Sequence, residues 1–294
     1  DDPIEKYLPF NVTVPSYNGH KITLEDLATH TSGLPDLPRA VVGPGHYRTL
    51  PTQQIYNFIS NSSLVSEPGV LYSYNNLGMG LLGHILSLKA GVPYGELVKD
   101  RILNVLGMDS TGIAMNSTQI TSPLPDILKS RLAIGHVGGK EINSLPLLPE
   151  VIQPAGALYS SANDLLKYLA ANMGLIHTKI NDILQDALLI RHQEYTATGN
   201  MSGSHQFVVA YTGLAWNIFT NLGGEDTVVL HSGGINGYTS YIGFNPTKQI
   251  GLVVLCSCDS DTGEAGYLGH PLYLWVRAGD DMKEYVKEED STIK

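Results

Sequence analysis

"SEPGVLYSYNNLGMGLLGHIL", residues 66–86, runs from a Pro-Gly turn through one tyrosine and two asparagines into a strongly apolar stretch. Beyond Asn76 the apolar residues recur at three- and four-residue spacing, the period of a helix made for burial. Tyr74, Asn75 and Asn76 stand at its start, where the first backbone N–H groups of a helix lack partners. Two readings are open here. Either Asn76 simply caps the helix, or Tyr74 and Asn76 face a cavity and act on something held there.

Before this stretch, "ITLEDLATHTSGLP" (22–35) predicts a helix capped by Thr23, with Asp26 three residues later and Ser32-Gly33-Leu34-Pro35 as its stop. His30 in that turn reads as a structural hydrogen-bonding residue rather than a metal ligand. Helical spacing returns in "PTQQIYNFISN" (51–61), "YGELVKDRILNVLGM" (94–108) and "SANDLLKYLAANMG" (161–174). The opening "DDPIEKYLPFNVTVPSYNGHK" (1–21) is proline-rich and aperiodic and reads as a surface segment.

From residue 206 the pattern changes to β-branched and aromatic runs separated by Gly, Asn and Pro: "QFVVAYTGLAWNIF", "DTVVLHSGG", "YTSYIGFNP" and "QIGLVVLCS". These predict an antiparallel sheet, and "GHPLYLWVRAGDDMKEYVKEEDSTIK" (269–294) a covering helix that fades into a charged tail. The expected fold is α+β, an antiparallel sheet flanked by helices plus a mostly helical lobe. Residues 1–205 form the helical lobe and connecting segments, and 206–294 the sheet with its C-terminal helix, together one domain. A site is expected in the cleft between them.

A chain of 294 residues, 43% hydrophobic and 16% charged, has room for one large core or two smaller ones. A net charge of -10 argues against the concentrated basic face of a nucleic-acid reader, so no nucleic-acid partner is expected. No uninterrupted apolar stretch reaches the roughly 18–20 residues that span a bilayer, so no transmembrane segment is expected. Asn11, Asn61, Asn116 and Asn200 each begin an Asn-x-Ser/Thr triplet, a pattern common by chance in a chain this rich in Ser and Thr. Cys256 and Cys258 are alternate residues of a predicted strand, too far apart there for a relaxed disulfide, and are expected to be packing residues. There is no His-Glu-x-x-His, no Cys-x-x-Cys and no nucleotide-binding glycine loop. Neither metal nor cofactor is expected.

His231-Ser232-Gly233-Gly234 leaves an apolar strand, and its glycines would let a ligand approach the backbone. A histidine near glycines is common, as "GHVGG" around His136 shows. Together and in order, "ITLEDLATHTSGLP", "PGVLYSYNNLGMGLLG", "LGMDST", "PAGALYSSANDLLKYL", "YTGLAW" and "HSGGINGYTSYIGFNP" resemble the serine beta-lactamase and penicillin-binding-protein superfamily, in its class C branch. The resemblance covers nearly the whole chain. It implies that Tyr74 and Asn76 form the Tyr-x-Asn element, and His231 and Gly233 the Lys/His-x-Gly strand element.

The same resemblance implies a serine nucleophile in a Ser-x-x-Lys segment a few dozen residues upstream of "DDPIEKYLP". Ser291-Thr292-Ile293-Lys294 is the single match in the chain, and its acidic approach lacks the context of a buried nucleophile. The expectation is therefore that the N-terminal strands and the nucleophile are missing here, and that a complementing N-terminal fragment would restore acyl-enzyme turnover. In that scheme Tyr74 transfers protons and Asn76 orients lysine and substrate, while Ser232, Gly233 and Gly234 bind substrate. The Gly234 N–H would serve the oxyanion. Substrates would be small molecules or peptides carrying an ester, amide or beta-lactam. His231 in place of Lys weakens the fixed positive charge and favours an esterase or D-amino-acid peptidase. The family resemblance favours a secreted or periplasmic location. The other class of function is a catalytically silent binding or sensor module.

Overall fold

The computed structural model describes residues 1–37, 50–113, 126–142, 148–201, 204–221 and 227–258. At its first helix, the Thr23 hydroxyl accepts from the Asp26 N–H while the Asp26 carboxylate accepts from the Thr23 N–H at 2.8 Å. This reciprocal cap starts α1 (Leu24–Ala28). The helices α2 (Thr52–Asn61) and α3 (Asn76–Ala90) follow. Then α4 (Tyr94–Val98) continues through a π turn, Lys99–Leu103, into α5 (Asn104–Leu106). The remaining described helices are α6 (Asp126–Lys129), α7 (Ala162–Asn172) and α8 (Asn181–Ala187).

Three two-stranded pairs decorate the helical part: β1 (Ser16–Tyr17) with β2 (His20–Lys21), β3 (Gly112–Ile113) with β6 (Leu158–Tyr159), and β4 (His136–Val137) with β5 (Lys140–Glu141). The main sheet is a six-stranded antiparallel meander of β7 (His192–Met201), β8 (Ser204–Thr212), β9 (Asn217–Asn221), β10 (Thr227–Ile235), β11 (Tyr238–Asn245) and β12 (Ile250–Cys256). The architecture is α+β, with the sheet and helices in the expected order. The sheet begins at His192, earlier than residue 206, because "HQEYTATGNM" carries too few apolar residues to show a period of two. The expected C-terminal helix and the Ser291–Lys294 match lie outside the described residues.

The first core lies under α2 and α3, where Ile55, Ile59, Leu77, Leu81 and Ile85 are buried together. Each such side chain contributes roughly 1.5–3 kcal/mol on full burial. Gly80 and Gly83 let the 3-10 segment Glu150–Ala155 lie directly on α3, since a Cβ at Gly83 would overlap the Pro154 ring. In the second core, α7 places Leu169 on the sheet against Trp216, Ile218, Val229 and Phe244.

Two expectations are corrected. The opening segment is not merely superficial: Ile4, Leu8 and Val12 are buried in the first core. The Ile4 N–H donates to the Ile22 carbonyl at 3.0 Å, so an irregular chain inserts its apolar residues one at a time, leaving no period to read. Cys256 and Cys258 are joined in a disulfide. Because β12 ends at Cys256 and the chain bends at once, their Cα atoms come to 5.2 Å, within disulfide range.

Candidate active site

The turn that ends α1 grips the segment leading to α3. The Gly33 carbonyl accepts from Val65 N–H at 2.8 Å, Thr31 from Gly69 at 2.9 Å and His30 from Ser73 at 2.8 Å. His30 has a φ of +58°, in the left-handed region, and its buried Nδ1 accepts from the Asn75 N–H at 3.2 Å. The Asn75 amide completes the clasp by donating to the Leu34 carbonyl at 2.6 Å.

Asn75, not Asn76, caps α3: its side-chain oxygen accepts from the Gly78 N–H at 2.7 Å. Of the two readings of residues 74–76, the one in which Asn76 caps the helix is thereby excluded. Asn76 is relieved of capping, and its Oδ1 accepts from the Tyr74 hydroxyl at 3.3 Å. Tyr74 is 48% exposed although it stands beside a tightly packed turn. Its ring lies 4.6 Å from that of His30 and 6.3 Å from that of His231, centroid to centroid. The structure thus brings Tyr74, Asn76 and His231 together, the first two from the start of α3 and the third from β10.

On the sheet side, β9 pairs with β10 only over Thr227–Leu230. Before β9 the chain turns through Ala215, whose φ is +63°, and the Ala215 N–H donates to the Ala28 carbonyl of α1 at 2.8 Å. That bond ties the sheet to the His30 turn. Residues 231–235 therefore pair with β11 alone among the described residues. Ser232, Gly233 and Gly234 are exposed there, opposite Tyr241, Ser240 and Thr239 of β11. The His231 Nδ1–H donates to the Ser232 carbonyl at 2.7 Å, leaving Nε2 as the lone-pair nitrogen.

The electrostatics keep these groups uncharged at neutral pH. Desolvation, with the Asp36 carboxylate second, holds the Tyr74 phenol above its ordinary value. Desolvation likewise lowers His231, against a smaller opposing effect of its bond to Ser232. His30 falls to about 4, through burial first and the neighbouring His231 second. Nothing among the described groups draws Tyr74 toward phenolate, so any proton it takes must be relayed or drawn by an added cation.

His30 is the part of this arrangement that sequence reasoning undervalued. The available signal was a histidine directly after a capped helix and before Thr-Ser-Gly, where a left-handed residue is needed to turn the chain. A polar cavity of about 410 Å³ lies elsewhere, lined by residues including His20, Lys21, Glu25, Arg191 and His192 but none of Tyr74, Asn76 and His231. Among the described residues no cluster of three His, Cys, Asp or Glu could hold a metal ion, and no helix is long and apolar enough to cross a membrane.

The sequence pattern of the beta-lactamase family matches residues 1–270. The chain belongs to the beta-lactamase family. Within it, the D-alanyl-D-alanine-carboxypeptidase/endopeptidase AmpH of Escherichia coli K12 is 30% identical over 263 residues, which cover 87% of this chain and 63% of AmpH. The chain thus spans less than two thirds of that relative. The fold is that of the beta-lactamase/D-alanine carboxypeptidase from Yersinia pestis, with a TM-score of 0.65 at 24% identity over 88% of this chain and 70% of that one. The octameric penicillin-binding protein homologue from Pyrococcus abyssi matches equally well, at a TM-score of 0.65 and 27% identity over 87% of this chain and 56% of its own.

Proposed function

We propose that this chain carries two of the three elements of a serine hydrolase that works through an acyl-enzyme, with the nucleophile on a Ser-x-x-Lys segment outside these 294 residues. The observation that carries this reading is the meeting of the Tyr74 phenol with the His231 imidazole across one gap, at 6.3 Å between ring centroids. Family membership and the carboxypeptidase name of a 30% identical relative support the same reaction class.

In the proposed scheme the serine oxygen attacks the substrate carbonyl, and its proton passes through Tyr74 to the leaving group. Tyr74 is a neutral phenol in this chain, so the Ser-x-x-Lys ammonium supplies the cation that makes its proton mobile. Asn76 orients the phenol through the 3.3 Å contact. Residues 231–235 have an edge free of β9, where an extended substrate would lie as an added strand. The Gly234 N–H then serves as an oxyanion donor, a role whose loss typically costs roughly 3 kcal/mol. The favoured substrates are simple esters and D-alanyl amides without a free carboxylate rather than beta-lactams, because His231 is neutral at pH 7 and offers no fixed charge to a substrate carboxylate.

The test is to supply the chain with a Ser-x-x-Lys segment and compare D-alanyl amides, p-nitrophenyl esters and nitrocefin. The 294-residue chain alone is expected to show no acyl adduct by mass spectrometry. A stoichiometric adduct on it would place the nucleophile within the chain. Substrate binding without turnover in the completed protein would instead identify a silent binding module.

A further inference from the structure

We propose that His30 is a positioning residue that sets the orientation and solvation of the Tyr74 phenol from outside the reacting atoms. Its catalytic meaning rests on the serine-hydrolase reading, whereas the positioning itself does not. Three observations converge on it. The His30 carbonyl accepts from Ser73 N–H at 2.8 Å and its Nδ1 from Asn75 N–H at 3.2 Å, so one residue holds both backbone neighbours of Tyr74. The imidazole ring lies 4.6 Å from the Tyr74 ring and makes an edge contact with Tyr72 at 5.9 Å. The residue is buried and holds a left-handed φ of +58°. Few residues other than Gly take that backbone region, histidine being one of those enriched there, so His30 suits the turn that it makes.

The chemistry of the contact selects one form of the ring. An Nδ1 that accepts a hydrogen bond carries no proton, so His30 acts as the neutral Nε2–H tautomer. Protonation would break the Asn75 bond and place a cation beside Tyr74 and His231. The charged or titratable groups around the phenol are His30 from the α1 turn, His231 from β10 and Asp36 from the loop after the turn. Asp36 is itself held by the Leu37 N–H at 2.9 Å. His30 thus leaves the phenol without a protonated neighbour on its buried side. A cation supplied from the reacting side is then the one positive charge acting on the phenol, against the Asp36 carboxylate.

The test needs no substrate. Tyrosine labelled at the ζ carbon reports the phenol's titration, and the Asn75 amide nitrogen reports the bond to Nδ1, both by NMR on the 294-residue chain. In the unsubstituted protein the Asn75 signal should move as pH falls toward about 4, where His30 takes its proton. His30→Asn tolerates the left-handed backbone and keeps an acceptor at the Nδ1 position, but removes the ring face. It should lower the Tyr74 titration as water replaces the imidazole, while leaving Tyr56 unmoved.

An Asn75 amide that shows no hydrogen bond to the His30 imidazole in the folded protein overturns the proposal without any variant being needed. So does a His30→Asn protein that folds and titrates Tyr74 as before. In the protein completed with its nucleophile, His30→Asn should lower kcat about tenfold with KM little changed, the mark of a misplaced proton donor. If the NMR outcomes hold and the completed protein binds substrate without turnover, the hydrolase reading fails while the positioning role stands.

Discussion

Two tyrosine–histidine pairs in this molecule are built from the same groups and differ in what is left over. In the first core, the Tyr56 hydroxyl and His84 Nε2 share a 2.6 Å hydrogen bond, and both residues are buried. At the gap, Tyr74 and His231 face each other at 6.3 Å between centroids, with the phenol half exposed and the imidazole bonded to its own strand. The core pair is closed: each group satisfies the other, which joins α2 to α3 and leaves nothing for a substrate. The open pair leaves Nε2 of His231 available and a phenol oriented by Asn76. Spacing in the chain does not separate the two cases. Burial and mutual satisfaction do.

Phenylalanine substitution tests that contrast most strongly. In the protein completed with a Ser-x-x-Lys segment, Tyr74→Phe should reduce turnover by about 10²–10⁴-fold, the usual range for a lost proton-transfer group. Its melting temperature should scarcely move, because Tyr74 is half exposed. Tyr56→Phe should do the reverse. Turnover holds, while stability falls by about 1–3 kcal/mol because the buried His84 Nε2 loses its partner. Equal losses of turnover in the two variants would erase the distinction between closed and open pairs. Replacing both core partners, as Tyr56→Phe with His84→Leu, should recover much of that stability, since no polar group is then left unsatisfied.

Acid reaches both pairs by the same sign. His30 is lowered to about 4, and His84 is lowered by burial, whereas an unfolded histidine titrates near 6.5. Between those values the unfolded chain binds more protons than the folded one, so stability is complete above pH 6.5 and is lost as pH falls toward 4. The His30 share of that loss is on the order of 3 kcal/mol. Denaturant unfolding at pH 7 and pH 4.5 should show the loss shrinking in His30→Asn. An undiminished loss would mean that His30 is already protonated, or not buried, in the folded protein.

Much of this arrangement was legible beforehand because it follows local rules. The Thr23–Asp26 cap, the period of α3 and the β-branched runs of β10 to β12 each state their element within a dozen residues. What escaped needed a tertiary partner to be visible. Ile4 and Val12 are buried without period, and β7 takes its place in the sheet through pairing with β8. Asn75 and Asn76 are adjacent and identical in type, and only the hydrogen bond to Gly78 separates cap from site residue. The Cys256–Cys258 bridge depended on where β12 stops, a boundary that composition does not mark. His30 was legible as a hydrogen-bonding residue of its turn, but its contact with a ring 44 positions away was not.

The smallest expected effect concerns selectivity at the open pair. His231 is held below its ordinary value by desolvation, so at pH 7 this position contributes no fixed charge to a bound anion. Lysine there would remain protonated and project an ammonium from exposed β10 toward the substrate. An exposed charge pair is worth about 0.2–1 kcal/mol, so His231→Lys should lower KM for nitrocefin, which carries a carboxylate, by only a few-fold. An uncharged p-nitrophenyl ester should gain nothing, and the nitrocefin gain should shrink at high salt. The ratio of the two specificity constants is therefore the quantity to measure in the completed protein. A ratio that stays constant at low and high salt would mean that the substrate's anion does not lie beside β10, and the open pair would lose its role in choosing between esters and beta-lactams.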